Sequence, residues 1–316
     1  MAAEGSPRTL IIALAANAGI AVAKFVAAAL TGSSAMLTEG VHSIVDTANQ
    51  VLLLYGRRRS HRPPDRLHPF GYGRELYFWS FVVAILVFSL GAGVSIYEGI
   101  LHIRHPEPAV DAKIAFAVLG IAALLEGYST VAAKREFDQA REGRSWIQAI
   151  HYSKDAPTMI VLLENAGAMI GLAFAAAGLT LSLITHNPFW DGLASVLIGL
   201  VLGILAAVLL YEAKSLLIGE AADPRLVEAI CEQAVAHGAI QAVHEVLTVH
   251  TSPDTVTVII SADFDDEISA RELERAVRDI EAGVAKRYPV VSRVYVRPHD
   301  PADDHHGELS LPTNRV

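Results

Sequence analysis

His42, Asp46 and Asn49 fall together in EGVHSIVDTANQ, residues 39–50, inside an otherwise apolar stretch. On a helix turning about 100° per residue, Asp46 stands about 40° from His42 on one side and Asn49 about 20° on the other, so all three share a face. An imidazole, a carboxylate and a carboxamide arranged this way suit a borderline divalent ion such as Zn2+, which takes nitrogen and oxygen ligands. The plain alternative is a His42–Asp46 hydrogen bond with no further role. A second acidic group weighs against it. Glu164 in LLENAGAMIG, residues 162–171, lies in another apolar stretch, with Asn165 beside it and with Gly167 and Gly171 allowing a neighbouring helix to approach. Two acids and one histidine on two helices can hold a dehydrated divalent cation near charge neutrality, and protonation of the ligands is a natural way to release it.

The elements that must carry these groups are membrane helices. Of 316 residues, 52% are hydrophobic, and the mean hydropathy of +0.38 is well above that of soluble domains of this length. Apolar runs cover 8–30, 34–56, 76–101, 112–133, 156–184 and 189–211, each near the ~20 residues a helix needs to cross a ~30 Å hydrocarbon core. Six transmembrane helices are therefore expected. After Lys214 charges become frequent and apolar residues recur at periods of two or four, which marks a soluble-type domain. The net charge of −9 conceals an asymmetry. The loop after the second run holds Arg57, Arg58, Arg59, Arg62, Arg66 and Arg74, and the loop after the fourth holds Lys134, Arg135, Arg141 and Arg144. The other three loops contain only Arg104 and Lys113 as positive charges. By the positive-inside rule the two basic loops, and with them both termini, are cytoplasmic. Cys231 is the only cysteine, so neither an intramolecular disulfide nor a thiolate metal cluster can form. The first run lacks the short core and cleavage site of a signal peptide and is taken as a retained helix.

The residues quoted so far, with HPFGYGRE (68–75) and PFWDGLASVLIG (188–199), resemble the cation diffusion facilitator family of divalent-metal/proton antiporters. The resemblance covers residues 8–298 and is closest to the zinc transporters with HSxxDTxNQ in the second helix. It implies six transmembrane helices, a small α+β ferredoxin-like cytosolic domain and a homodimer. The expected boundaries are a transport domain at 1–215, an αββαβ dimerisation domain at 216–300 and a disordered tail at 301–316. The family's paired ligands of the second helix fall on His42 and Asp46. The fifth-helix pair has two placements. HYSKD, residues 151–155, has the right spacing, but Pro157 just beyond it marks a helix start, which puts His151 and Asp155 at the membrane edge. Counting back from Asp191 instead puts the pair near Glu164 and Ala168; depth inside the run decides for Glu164, with Asn49 first, and Asn165 or a water next, as the remaining ligand.

The resemblance also implies a loop site, where Asp65 and His68 match but Tyr72 replaces a histidine. A neutral phenol is a poor zinc ligand, so a solvated loop and a weak metal site stand level there, and Arg74 with Glu75 is expected to fix the loop. In the C-terminal domain, read as helix 224–237, strands 242–251 and 254–263, helix 268–288 and strand 291–297, only His244 matches a regulatory zinc ligand. His299, Asp300, Asp303, Asp304, His305 and His306 read as a solvated tail with a minor metal-capturing alternative. Asn17 and Lys24 share a face of the first run; Lys24 pairs with Glu39 or Asp46, or snorkels to the interface. Asp191 reads as a helix-start acid, and Glu98, Glu126 and Glu212 as interfacial.

The expectation is thus an antiporter that exports Zn2+ by alternating access with H+ as coupling ion, with Fe2+, Mn2+, Co2+ and Cd2+ as alternative cargo. No permanent cofactor, nucleic acid or enzymatic activity is expected. A metal-sensing membrane protein without transport and, further off, an intramembrane metallohydrolase are the alternatives; the latter lacks an HExxH helix or a nucleophile. The expected location is a bacterial inner membrane.

Overall fold

The computed structural model describes residues 7–105, 112–141, 143, 145–146, 148–149 and 154–299, with the side chains of 7–17, 88, 112, 136, 139 and 140 outside the description. The chain divides into two compact units, Met1–Leu217 and Ile218–Val316.

The first unit is helical: α1 (Pro7–Thr31), α2 (Ser34–Ser60), α3 (Glu75–Leu86) running through one wider-wound stretch at Val87–Ala92 into α4 (Gly93–Arg104), α5 (Ala112–Ala140), α6 (Ala156–Thr185) and α7 (Phe189–Ile218). Every apolar run read from the sequence lies on a helix. Among the described residues four helical stretches, Glu75–Arg104, Lys113–Arg135, Ala156–Thr185 and Phe189–Ile218, are long and apolar enough to cross a membrane. In α2 the apolar character is diluted by the same Glu39, His42 and Asp46 that suggest chemistry, and by Arg57, Arg58 and Arg59 in its last turn, where cations complement the helix dipole. Leu124 on α5 is 77% exposed and Ile204 on α7 is 66% exposed, an outward apolar surface that a bilayer covers and water does not.

Polar contacts set the start of α2. Ser33 caps it by accepting from Met36 N at 3.2 Å, while Asp191 at the head of α7 accepts from Ser33 Oγ (2.8 Å), Ser34 N (2.7 Å) and Ala35 N (3.3 Å). Asp191 is a helix-start acid, but the backbone donors its carboxylate accepts from, Ser34 N and Ala35 N, belong to α2. Close helix approach does the rest. A Cβ on Gly99 of α4 would meet Gly192 O of α7 at 2.8 Å, and one on Gly171 of α6 would collide with the Glu39 carboxylate of α2.

The second unit runs α8 (Pro224–Val235), β1 (Ile240–Ser252), β2 (Thr255–Phe264), α9 (Ala270–Arg287) and β3 (Val291–Pro298). Ser252, Pro253, Asp254 and Thr255 make the hairpin turn, with Ser252 Oγ 2.6 Å from Thr255 Oγ1. β2 is central, antiparallel to β1 and parallel to β3; the parallel return is made by α9, which Ser269 and Glu272 start as a capping box. Val256, Val258, Ile260 and Ala262 alternate along one face of β2 and form a core with Ile230, Ala234, Ile280 and Val284 of the two helices. On the opposite face Leu247, Ile259 and Tyr295 stand side by side in register, each about 40% exposed (40%, 39% and 44%).

Candidate metal centre

The face predicted for α2 exists, and it is buried. His42 and Asn49 are 1% and 0% exposed, and Asp46 Oδ2 lies 3.4 Å from His42 Nε2. That approach makes no hydrogen bond: both ring nitrogens of His42, Asp46 Oδ1 and Asn49 Oδ1 have no hydrogen-bond partner among the described residues. Buried polar atoms are nearly always paired, because leaving one unpaired costs about 1–3 kcal/mol. Here the unpaired atoms concentrate on one helix, and each belongs to a type that ligates divalent metals.

Glu164 of α6 joins them across the helix interface. Asn49 Nδ2 donates to Glu164 Oε1 at 2.6 Å. Asp46, Glu164 and Asn165 share a cavity of about 80 Å3 whose wall also includes Ser43 and Gln50 of α2 and Glu126 and Ser129 of α5. His42 and Asn49 stand one contact behind that wall, His42 against Asp46 and Asn49 against Glu164. Asn165 exchanges hydrogen bonds with Ser129, donating from Nδ2 at 3.2 Å and accepting at Oδ1 at 3.5 Å. Among the described residues no three His, Cys, Asp or Glu side chains converge into a ready-made metal cage. His42 with Asp46 and Asn49 with Glu164 form two half-sites, and a metal shared between them requires the Asn49–Glu164 bond to open.

Beside the cavity lies a buried ion network. Lys24 of α1, fully enclosed, donates to Glu39 Oε2 at 3.0 Å, Ser43 Oγ at 2.8 Å and Glu126 Oε1 at 2.9 Å. Of the alternatives open in the sequence, Lys24 takes Glu39 and not Asp46, and it does not snorkel. Glu126, read as a span-end acid, has its side chain 16% exposed and held by Lys24, because a buried ammonium needs carboxylate partners. Glu212 is likewise buried, at 9% exposure, on the inward side of α7 among Leu209, Ala213 and Leu216.

This combination of long apolar helices with ligand-type groups turned inward is matched by sequence comparison. Residues 10–218 match the cation efflux transmembrane domain. The chain belongs to the cation diffusion facilitator, or cation efflux, family. Its members are transporters and not enzymes, and the chain is an integral membrane protein. Among its relatives are the mitochondrial proton-coupled zinc antiporter SLC30A9 of Xenopus laevis, 33% identical over 270 residues, or 85% of this chain and 48% of the relative. Metal tolerance protein C4 of Arabidopsis thaliana is 35% identical over 222 residues, covering 70% of this chain and 49% of the relative. The manganese efflux system protein MneP of Bacillus subtilis is 23% identical over 231 residues, covering 71% and 72%. The chain spans about half the length of the first two.

The remaining residues singled out in this member of the cation efflux family behave differently from the α2–α6 set. Asp65 uses Oδ1 to accept from Leu67 N (2.9 Å) and His68 N (2.7 Å), and Oδ2 to accept from Tyr72 OH (2.6 Å). The Tyr72 hydroxyl, then the His68 amide, holds the Asp65 carboxyl below its ordinary range, and the same bond to Asp65 raises the Tyr72 phenol. His68 lies over the Tyr72 ring, centroids 4.3 Å apart. The loop is thus a hydrogen-bonded turn in which Asp65 is already occupied. Of the two residues expected to fix the loop, Glu75 is tied to the end of α2, its Oε1 accepting from Arg59 Nη2 at 2.8 Å, whereas Arg74 is exposed. Asp155 caps α6, accepting from Thr158 Oγ1 at 2.6 Å, as Pro157 suggests. His151, the Asn17 side chain and the tail from Asp300 onward lie outside the described residues. His244, in the second unit, packs edge-on against His299 with centroids 4.7 Å apart. The contribution that sequence reasoning missed is Glu126 as a second partner of the Lys24–Glu39 pair. Its signal was an acid surrounded by LL and GYSTVAA in one apolar run, with a lysine inside another.

Proposed function

We propose that this protein is a proton-coupled exporter of divalent metal, Zn2+ first among candidates, working by alternating access. What carries the reading is one arrangement: Asp46 and Glu164, from different helices, line a common cavity while, among the described residues, both nitrogens of His42 and the Asn49 side-chain oxygen have no hydrogen-bond partner. His42, Asp46 and Glu164 are the proposed ligands, with Asn49 the fourth and Asn165 its alternative. The names of the zinc antiporter and metal tolerance relatives support metal efflux, and the antiporter's name supports proton coupling. A nitrogen–carboxylate set favours Zn2+ over ions that prefer all-oxygen sites, while the share of oxygen ligands keeps Mn2+, Fe2+, Co2+ and Cd2+ as competitors.

In the inward-open state, cytosolic metal displaces Asn49 from Glu164 and draws the two half-sites together. Rocking of the bundle exposes the loaded site to the other side, where protons on the ligands displace the metal and return inward. The reading takes α1 and α2 as membrane-crossing along with the four more apolar helical stretches, six crossings in all, with both termini in the cytoplasm. It places the protein in a bacterial inner membrane and pairs two copies through the ferredoxin-like C-terminal unit, whose Leu247–Ile259–Tyr295 stripe offers an uncovered apolar face.

Purified protein in liposomes carrying an imposed pH gradient tests the reading. Zn2+ flux should follow the gradient and collapse in Asp46→Ala. Undiminished gradient-driven flux in that variant would sink the site assignment, and metal binding without any flux in the wild type would favour a sensor.

A further inference from the structure

Glu126 belongs to none of the ligand positions named above, yet three observations place it with them. It lines the same cavity as Asp46 and Glu164. Ser129, one turn further along α5, is hydrogen-bonded to Asn165, which fixes Glu126 near the level of Glu164. Its two oxygens also differ: Oε1 accepts from Lys24 at 2.9 Å, whereas Oε2 is buried with no hydrogen-bond partner among the described residues.

The ion network is unbalanced in a way a purely structural pair is not. The three donors of Lys24 are all used, on Glu39, Ser43 and Glu126. Glu39, fully buried and 3.0 Å from the ammonium, is enough by itself to neutralise Lys24. Glu126 adds a second carboxylate to one cation, and Asp46 and Glu164 add two more to the same wall. An uncompensated acidic excess at membrane depth is costly, and a divalent cation entering the cavity offsets it. His42, with no hydrogen-bond partner at either ring nitrogen among the described residues and with Nε2 3.4 Å from Asp46 Oδ2, adds a nitrogen donor behind that wall.

We propose that Glu126 is a metal-contact residue: Lys24 holds its carboxylate by one oxygen and leaves the other to the divalent cation, so that α5 adds a ligand to those of α2 and α6. Lys24 is the positioning residue, acting on the metal through Glu126. The proposal rests on the transport reading above for its setting, and its test is separable from that reading.

Wild type, Glu126→Gln, Glu126→Asp and the double variant Lys24→Met/Glu126→Gln are compared in two measurements on the full chain: Co2+ binding in detergent, followed by visible absorption, and Zn2+ concentration dependence of uptake in liposomes. The double variant removes both partners of the pair, which is far milder than stranding one buried charge. Glu126→Gln is expected to weaken Co2+ binding and raise the KM for Zn2+ by roughly 10- to 100-fold, to alter the Co2+ absorption bands, and to do the same in the double variant. Glu126→Asp should restore part of the affinity. Unchanged bands and KM in Glu126→Gln, or a double variant restored to wild-type affinity, would overturn the proposal by showing that only the ion pair matters. Wild-type protein that fails to move Zn2+ would count against the transport reading alone, because Co2+ binding still decides the role of Glu126.

Discussion

Asn49 on α2 donates its amide to Glu164 on α6 at 2.6 Å, and this single bond ties the carboxamide and the carboxylate of one half-site across the helix interface. Asn49 is fully buried and Glu164 is 8% exposed, so water offers neither side chain a ready substitute. The bond is therefore both a structural tie and an obstacle that an arriving metal has to displace.

Replacing Asn49 by Ala removes that tie and strands the Glu164 oxygen. The metal-free variant should lose about 1–3 kcal/mol of stability, the cost of a buried unpaired polar group. Zn2+ should recover part of the loss, because a ligand that binds only the folded state stabilises it. Thermal melts in detergent, with and without Zn2+, check this; a variant whose deficit is the same in both conditions would remove Asn49 and Glu164 from the metal's path.

Gly171 is the point where α6 passes the Glu39 carboxylate of α2, and any Cβ there collides with it. Glu39 cannot simply swing away, since its other oxygen is held 3.0 Å from Lys24 in a fully buried setting. Gly171→Ala should destabilise the protein by about 1–3 kcal/mol, as overpacking does, with a larger effect for Gly171→Val. Chemical or thermal unfolding of the solubilised protein gives the measurement; a neutral Gly171→Ala would show that the α2–α6 spacing adjusts freely.

The helices were legible because each hydrocarbon-length run leaves a long apolar signature, and the shared face of His42, Asp46 and Asn49 because helical geometry is fixed at about 100° per residue. The αββαβ order of the second unit was legible from its periodicity and turn residues. Partners were not. Lys24 and Glu126 are 102 residues apart, and nothing local to either selects the other. Glu75 takes Arg59 over its sequence neighbour Arg74 because α3 begins beside the end of α2. The two half-sites, rather than one formed cage, depend on side-chain choices such as that of Asn49 for Glu164, which lie below the resolution of spacing arguments.

The loop between α2 and α3 should respond to acid through Asp65. Its carboxyl is held below the ordinary value of 3.8, first by Tyr72 and then by the His68 amide, so ionisation is favoured only in the folded loop. The contribution is present above about pH 3.8 and is lost as pH falls through the lower folded value. Tyr72→Phe should move the Asp65 midpoint back up. Carboxyl 13C titration, or amide exchange of residues 65–72 in a pH series, reads the shift; identical midpoints in the two proteins would remove the Tyr72 hydroxyl as the cause.

The sheet of the second unit bears on assembly. Its inner face is filled by Val256, Val258, Ile260 and Ala262 against the two helices, whereas Leu247, Ile259 and Tyr295 form a row across all three strands on the other face. Side chains paired across neighbouring strands make a continuous apolar strip, and Ile259 is its middle member. A second copy of the chain meeting this strip would bury it, and a lysine at its centre would set two charges against each other in an apolar contact. Ile259→Lys points away from the core and should leave the fold of the unit intact while shifting the proposed dimer of the wild-type protein to monomer. Light scattering after size exclusion gives the mass, and circular dichroism checks the fold. A variant that stays folded and dimeric would place the pairing surface elsewhere on the chain.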